Sequence, residues 1–175
     1  MNLANKITVL RIALIPLYLV FLLQLSTLAG YIAVGIFILA SLSDALDGYV
    51  ARAHGLVTVF GKFFDPLADK LLVCSALITM SYLERFPLWG VLLIVSRELI
   101  ITAFREVAAA RGVIIAADKL GKIKTFSQMS AIIFLTLPGV AYNHPLTQVL
   151  SWFVVIITIV SGISYVYKNK QVLKD

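Results

Sequence analysis

Long apolar runs dominate this chain, and their lengths limit it to one class of fold. Six runs are long enough, or nearly long enough, to cross a membrane as helices: residues 7–25, 31–42, 63–83, 88–110, 123–140 and 146–167. A helix needs roughly 20 apolar residues to cross the hydrocarbon core of a bilayer. Breaks between the runs are expected at Gly30, Pro87, Pro138-Gly139 and Pro145. The pattern predicts an all-α membrane protein with six transmembrane helices.

The composition supports the same class. Hydrophobic residues make up 61% of the 175 residues and charged residues 14%, whereas soluble domains carry about 45–50% apolar and about 25% charged residues. We expect a single membrane domain over residues 1–175, with no separate soluble domain. The formal net charge is +6. Because the cations lie between apolar runs, they indicate membrane orientation and anionic substrates, and no nucleic acid partner is expected.

The positive charges are distributed unevenly among the connections between the runs. The N-terminus, the second and fourth connections and the C-terminal tail carry Lys6, Arg11, Arg52, Lys62, Arg111, Lys119, Lys122, Lys124, Lys168, Lys170 and Lys174. The first and fifth connections carry no lysine or arginine, and the third carries only Arg85. Cytoplasmic connections are enriched in such residues. The sequence therefore predicts a multi-pass protein of the cell (inner) membrane with both termini in the cytoplasm.

Two carboxylates follow the second run directly and two more interrupt the third, where a plain membrane anchor would have none. On a helix, Asp44 and Asp47 share a face with the small residues Gly48 and Ala51. On the next helix, Gly61, Asp65 and Asp69 repeat at intervals of four. Charged groups are expensive in hydrocarbon, so we expect both faces to line one polar cavity at the cytoplasmic side.

Four carboxylates in one cavity repel each other unless cations neutralise them. All-oxygen ligands suit hard ions, so the cavity is predicted to bind Mg²⁺, with Mn²⁺ as a substitute. The alternative is that the aspartates form salt bridges between helices with Arg52, Lys62 and Lys70. His54 and His144 are isolated, and we interpret them as polar residues of the membrane interface rather than ligands.

The spacing of this segment matches a known signature. The pattern D-x-x-D-G-x-x-A-R-x(8)-G-x(3)-D-x(3)-D, matched from Asp44 to Asp69, resembles the signature of the CDP-alcohol phosphotransferase family. The resemblance implies transfer of a phosphatidyl group from CDP-diacylglycerol to an alcohol, two divalent ions and a homodimer. It implies metal ligation by Asp44, Asp47, Asp65 and Asp69, proton abstraction by Asp69, and a CDP site lined by Gly48, Ala51, Arg52 and Gly61.

Cations in the second half of the chain bear on the acceptor alcohol. Arg97, Ile101 and Arg105 follow an i, i+4, i+8 row in the fourth run, and Lys122 and Lys124 open the fifth. Arginine suits phosphate, so these cations favour an anion pocket. The alternative is that Arg97 pairs with Glu98 or the aspartates, and that Arg105 and the lysines only reflect the general enrichment of cytoplasmic segments in positive charge.

Three further stretches resemble the branch of the family that uses glycerol 3-phosphate as the acceptor: Asn5 to Arg11, Arg97-Glu98, and Gly121-Lys122-Ile123-Lys124-Thr125 with Gln128. That branch implies that Arg97, Arg105 and Lys122 hold the acceptor's phosphate. The alternatives are a relative with another acceptor, of the cardiolipin synthase or phosphatidylinositol phosphate synthase type, and a small membrane transporter. A transporter would distribute polar groups through several spans, whereas here they cluster on the predicted cytoplasmic side.

Overall fold

The structure is a computed structural model and is entirely helical over the residues it describes. It describes the backbone of residues 3–54, 59–113, 115, 118–140 and 144–173, and the side chains of residues 5–43, 64, 66–113, 115, 118–140 and 144–172. The helices within these ranges are α1 (Leu3–Leu23), α2 (Thr27–His54), α3 (Val59–Tyr82), α4 (Leu88–Ala110), α5 (Lys119–Thr136) and α6 (Pro145–Lys168). A short 3₁₀ helix, Lys170–Leu173, follows α6.

The first break between helices differs from the sequence prediction. Gly30 was expected to separate the first two helices, but it lies inside α2. The helix begins earlier because the Ser26 hydroxyl caps it, accepting the Ala29 amide at 3.1 Å. The reversal falls at residues 24–26, where Leu25 adopts a φ of 52°. The prediction of a break at Gly30 was therefore wrong by a few residues.

Unit 1 of the chain comprises Met1–Arg85 and Ile132–Ala141. Within it, α1 packs against both α2 and α3. The Tyr18 ring is fully buried against Phe37, with ring centroids 5.5 Å apart. Its hydroxyl lies 3.0 Å from the hydroxyl of Thr136, so a polar contact fixes the buried end of the ring.

Unit 2 comprises Phe86–Ala131 and Tyr142–Asp175, and in it α4 packs against α6. Phe104 meets Tyr165 edge to face, at 5.9 Å between ring centroids. At the surface, Lys168 Nζ donates to Asp118 Oδ2 at 2.9 Å. This hydrogen bond lowers the pKa of the Asp118 carboxyl.

The surface of the helices is strongly apolar. Tyr82, Trp89 and Phe126 are each more than 70% exposed, together with many leucines and isoleucines. Soluble proteins rarely expose apolar surface on this scale. Among the described residues, two helical segments are long and apolar enough to cross a membrane, Asn5–Leu23 and Pro145–Lys168. The all-helical fold and this surface are those of a membrane protein.

Candidate functional site

Helix α2 carries two of the four predicted metal-binding carboxylates. It runs without interruption from Thr27 to His54, so positions 44, 47, 48 and 51 fall along one side of a continuous helix. Several predicted site residues lie outside the described side chains: Asp44, Asp47, Gly48, Ala51, Arg52, Gly61 and Asp65. Their place on α2 and α3 is therefore known from the backbone alone.

Helix α3 carries the other two carboxylates, at positions 65 and 69, one turn apart. The Asp69 side chain is half-buried. Lys70 Nζ donates to the Pro66 carbonyl at 3.3 Å, and Lys70 forms no ion pair within the described residues. Because Asp44, Asp47 and Asp65 lie outside the described side chains, the salt-bridge alternative at Lys70 stays a prediction.

The donor chemistry of this pair of helices fits a hard divalent ion. Both α2 and α3 pack against α1, and α2 also contacts α3, so the two carboxylate-bearing helices are neighbours. The four aspartates predicted on these helices would offer carboxylate oxygens, the ligands that such ions prefer. Among the described side chains, no group of three or more His, Cys, Asp or Glu is placed to hold a metal. Three of the four predicted carboxylates lie outside that set.

Helix α1 carries a buried polar face whose burial was not predicted from the sequence. Asn5, Thr8 and Arg11 recur at intervals of three, and Arg11 is completely buried. None of the three side chains is without an interaction partner. A buried guanidinium is expensive unless it is paired. The signal was present, because a row of polar residues with helical spacing opens an otherwise apolar run.

Two buried cations share one carboxylate in unit 2. Arg97 Nη1 donates to Glu98 Oε1 at 3.1 Å, and Lys124 Nζ donates to the same oxygen. The three side chains are only 13%, 14% and 6% exposed. The sequence alternative that Arg97 pairs with Glu98 is therefore observed. Glu98 therefore contacts both cations.

Helix α6 supplies hydrogen-bond partners for Arg97 and Gln128 that were not predicted from the sequence. Arg97 Nη2 donates to Ser161 Oγ at 3.1 Å, and Ser161 Oγ donates to the Thr158 carbonyl at 3.1 Å. Gln128 Nε2 in turn donates to Thr158 Oγ1 at 3.3 Å. Residues 147, 151, 158 and 161 place small hydroxyl side chains along the buried face of α6. That row was visible in the sequence and indicated polar contacts between helices.

Arg105 and Lys122 differ from Arg97 in their exposure to the surface and in their contacts. Both side chains are exposed, and within the described residues neither makes a hydrogen bond or an ion pair. The i, i+8 spacing explains the difference on α4, because eight residues at 3.6 per turn leave Arg105 rotated about 80° from Arg97. Ile101, halfway between them, is buried in a cluster with Phe104 and Tyr165. The described structure does not gather the three predicted phosphate-binding cations into one cluster.

Known proteins resemble the chain over nearly its whole length. A family model described as CDP-alcohol phosphatidyltransferase matches residues 1–160. The "CDP-diacylglycerol--glycerol-3-phosphate 3-phosphatidyltransferase" of Bacillus subtilis (strain 168) is 44% identical over 191 aligned residues, covering 99% of this chain and 97% of the relative. The protein of that name from Escherichia coli (strain K12) is 38% identical, covering 77% of this chain and 76% of the relative.

A third relative carries a related name. The "Probable phosphatidylglycerophosphate synthase" of Mycobacterium tuberculosis (strain ATCC 25618 / H37Rv) is 40% identical, covering 94% of this chain and 80% of the relative. The family generally uses divalent metal ions, in keeping with the carboxylates on α2 and α3. The family model covers α2 and α3, the helices that carry the predicted carboxylates. This chain therefore belongs to the CDP-alcohol phosphatidyltransferase family.

Proposed function

We propose that this chain transfers the phosphatidyl group of CDP-diacylglycerol to glycerol 3-phosphate, giving phosphatidylglycerophosphate and CMP. The observation that carries the proposal is the agreement of relatives in three organisms, at 38–44% identity, on this activity or its product. The two carboxylate-bearing helices support the transfer chemistry, and the buried cations of unit 2 support an anionic acceptor.

The reaction is a direct displacement at the phosphorus of the phosphatidyl group. Asp69 accepts the proton of the acceptor's primary hydroxyl, whose oxygen then forms the new bond to phosphorus. The bond from phosphorus to the CMP oxygen breaks, and CMP leaves with the bonding electrons. The half-buried position of Asp69 on α3 suits a base that must be reached by substrate yet kept from bulk water.

Asp44, Asp47, Asp65 and Asp69 would hold two divalent ions, Mg²⁺ or Mn²⁺. When bound, these ions supply positive charge that neutralises the diphosphate and stabilises the leaving CMP. Gly48, Ala51, Arg52 and Gly61 would line the cytidine diphosphate site. The two glycines and the alanine would let the nucleotide approach the helix backbone closely, and Arg52 would add a positive charge. All eight positions lie on α2 and α3.

Arg97, Arg105 and Lys122 would bind the phosphate of glycerol 3-phosphate. Glu98 and Ser161 orient the Arg97 guanidinium, so its direction is fixed before substrate arrives. Arg97 and Lys124 both contact Glu98, so two cations lie close together at the position proposed for the acceptor's phosphate. The exposed side chains of Arg105 and Lys122 are free to close onto the phosphate.

The protein would be a multi-pass enzyme of the cell membrane, with six spans, both termini in the cytoplasm and a homodimeric assembly. Six helices with connections of unequal charge support that topology. The site would then lie at the cytoplasmic membrane surface, where a water-soluble acceptor meets a lipid donor.

An acceptor panel tests the proposed function. Purified protein in detergent, given CDP-diacylglycerol and Mg²⁺, is offered glycerol 3-phosphate, glycerol, inositol phosphate, serine or phosphatidylglycerol, and CMP release is measured. We expect release with glycerol 3-phosphate alone. Release with inositol phosphate or phosphatidylglycerol instead would assign the chain to a phosphatidylinositol phosphate synthase or cardiolipin synthase type. No release with any acceptor would favour a transporter.

A further inference from the structure

A polar cavity of about 80 Å³ lies in unit 1, at the end of α2 remote from the carboxylates. Its walls come from the turn between α1 and α2, from Arg85 after α3, and from the turn after α5. From Gly30, at this cavity, to position 47 the helix rises roughly 25 Å, at about 1.5 Å per residue. The cavity is therefore separate from the proposed catalytic site.

The walls of this cavity, here called the Arg85 cavity, are tightly fixed. A Cβ atom on Gly30 would lie 2.8 Å from Pro138 Cγ, so only glycine allows α2 to pack so closely against the turn after α5. Thr136, on the wall, is completely buried and hydrogen-bonded to Tyr18. The cavity thus exists before any ligand binds, which reduces the entropy that binding must overcome.

Arg85 gives the cavity a positive charge that has no counterion among the described residues. The half-buried guanidinium donates from Nη1 to the Leu135 carbonyl at 3.2 Å, and forms no ion pair in the described part of the chain. In unit 2, by contrast, Arg97 and Lys124 share the carboxylate of Glu98. A guanidinium has five N–H donors, and one bond to a carbonyl leaves most of them available.

Two hydroxyl groups join Arg85 in the lining. Ser26 Oγ already accepts the Ala29 amide, so its hydrogen is left to donate. Thr27, the next residue, also lines the cavity and carries a second hydroxyl. A guanidinium with neighbouring hydroxyl donors is the donor set that phosphate oxygens prefer. The volume suits one such group rather than a whole lipid or nucleotide.

Apolar side chains beside the cavity indicate where that phosphate comes from. Leu25 and Leu28 are 66% and 71% exposed next to the polar lining, and Tyr31 follows one turn later at 59%. A headgroup phosphate in the cavity would leave acyl chains along this surface. We propose that the Arg85 cavity binds a phosphate group, that of a phospholipid headgroup, at the end of the molecule remote from the carboxylates. The proposal does not rest on the proposed reaction.

Lipid binding to full-length variants tests the site. Native mass spectrometry of the detergent-purified protein gives the apparent affinity for the first added phosphatidylglycerol molecule. Arg85→Gln keeps an N–H donor for the Leu135 carbonyl but removes the charge, and should weaken that affinity roughly 10-fold or more, since charged hydrogen bonds contribute about 1.5–3 kcal/mol. Lys119→Gln removes an exposed positive charge elsewhere and should leave the affinity unchanged.

Additional measurements distinguish a phospholipid headgroup from free phosphate, and a loss of binding from a loss of folding. Arg85→Lys keeps the positive charge but lacks the planar guanidinium that can donate two parallel hydrogen bonds. The affinity of this variant for phosphatidylglycerol should lie between those of the wild type and Arg85→Gln. Binding of inorganic phosphate is measured by how far it raises the temperature of thermal unfolding, and it should be weak in the wild type. If phosphate protects the protein in an Arg85-dependent way while lipid binding does not depend on Arg85, the ligand of the cavity is free phosphate rather than a phospholipid headgroup. CMP release should remain at the wild-type rate in all variants. Equal lipid and phosphate binding by wild type, Arg85→Lys and Arg85→Gln would overturn the proposal.

Discussion

Gly162 of α6 lies directly against the stem of Arg97. A Cβ atom at position 162 would come within 2.9 Å of Arg97 Cγ, closer than Cβ atoms approach other atoms in proteins. The missing side chain is what lets Arg97 pass over α6 to reach Ser161. Because Cγ is near the backbone of Arg97, a small rotation at the end of the side chain cannot relieve the clash. The direction of the guanidinium therefore depends on glycine at 162.

Gly162→Ala should displace Arg97 and weaken acceptor binding. Overpacking of a buried site costs about 1–3 kcal/mol, and about 1.4 kcal/mol is tenfold in binding. We expect the KM for glycerol 3-phosphate to rise roughly tenfold while the KM for CDP-diacylglycerol changes little. Steady-state CMP release at varied concentrations of each substrate measures both.

Gly35→Ala is the matched control, because Gly35 lies inside α2 and a Cβ atom added there would have no neighbouring atom within 4 Å. This substitution should leave both KM values unchanged and stabilise the helix by up to about 1 kcal/mol. A Gly162→Ala enzyme with wild-type acceptor kinetics would show that the position of Arg97 does not matter for glycerol 3-phosphate.

Glu98→Gln should destabilise unit 2, because it leaves Arg97 and Lys124 without the carboxylate they share. Removing one partner of a buried ion pair typically costs roughly 3–5 kcal/mol, and all three side chains are more than four-fifths buried. Unfolding in detergent micelles measures the loss. Glu106→Gln, on the exposed surface of the same helix, should change stability by less than about 0.5 kcal/mol. Equal stability of the two variants would argue against a structural role for Glu98.

The helices themselves were predictable from the sequence because apolar runs and helix breakers are local signals. The fourth run was expected at residues 88–110 and forms α4, Leu88–Ala110. Helix α2 extends beyond its apolar run of 31–42 to Thr27–His54, because hydropathy marks the part of a helix suited to lipid rather than the helix itself. Gly30 was misjudged because its role is close packing against Pro138, which no local pattern reveals.

The arrangement of the cations was less predictable. Periodicity placed Arg97 and Arg105 in one row, but whether each is buried depends on what packs beside α4. Arg97 meets Ser161 from a helix more than sixty residues away in the chain, whereas Arg105 is exposed. Likewise, the burial of Arg11 follows from the packing of α1 against two helices, whereas its sequence position indicated only membrane orientation and a family resemblance over Asn5 to Arg11.

Asp69→Asn should abolish turnover while retaining most substrate binding. An amide cannot accept the hydroxyl proton, and general acid–base contributions are typically 10²–10⁴-fold, so kcat should fall by at least that range. Asp44→Asn should instead weaken metal affinity, seen as a higher Mg²⁺ concentration for half-maximal rate. Excess EDTA should stop the wild-type enzyme, and added Mg²⁺ or Mn²⁺ should restore it. Near-normal turnover in Asp69→Asn would exclude Asp69 as the base.

The orientation in the membrane can be tested at the end of α2. A His54→Cys substitution in a Cys74→Ser background leaves a single cysteine in the second connection. Because that connection is rich in cations, it should face the cytoplasm. A membrane-impermeant maleimide should label the cysteine in inside-out vesicles and not in intact cells. Labelling of intact cells would reverse the orientation.

Substitutions of Arg105 and Lys122 test acceptor binding with little risk of disturbing the fold. Both are exposed and make no contact that Arg97 depends on among the described residues, so truncating them should not disturb the packing of unit 2. Lys119→Ala is the matched control, because it removes an exposed cation from the same part of the chain without a proposed part in binding. Its kinetics should equal those of the wild type.

Arg105→Ala and Lys122→Ala should each raise the KM for glycerol 3-phosphate roughly 10–150-fold, because a charged hydrogen bond contributes about 1.5–3 kcal/mol. The KM for CDP-diacylglycerol should stay the same, since the proposed donor site lies along α2 and α3. Arg105→Lys should recover only part of the loss, because a point charge cannot reproduce a bidentate fork. An Arg105→Ala enzyme with unaltered glycerol 3-phosphate kinetics, or a wild-type enzyme that uses glycerol equally well, would move the assignment to another acceptor and leave the transfer chemistry in place.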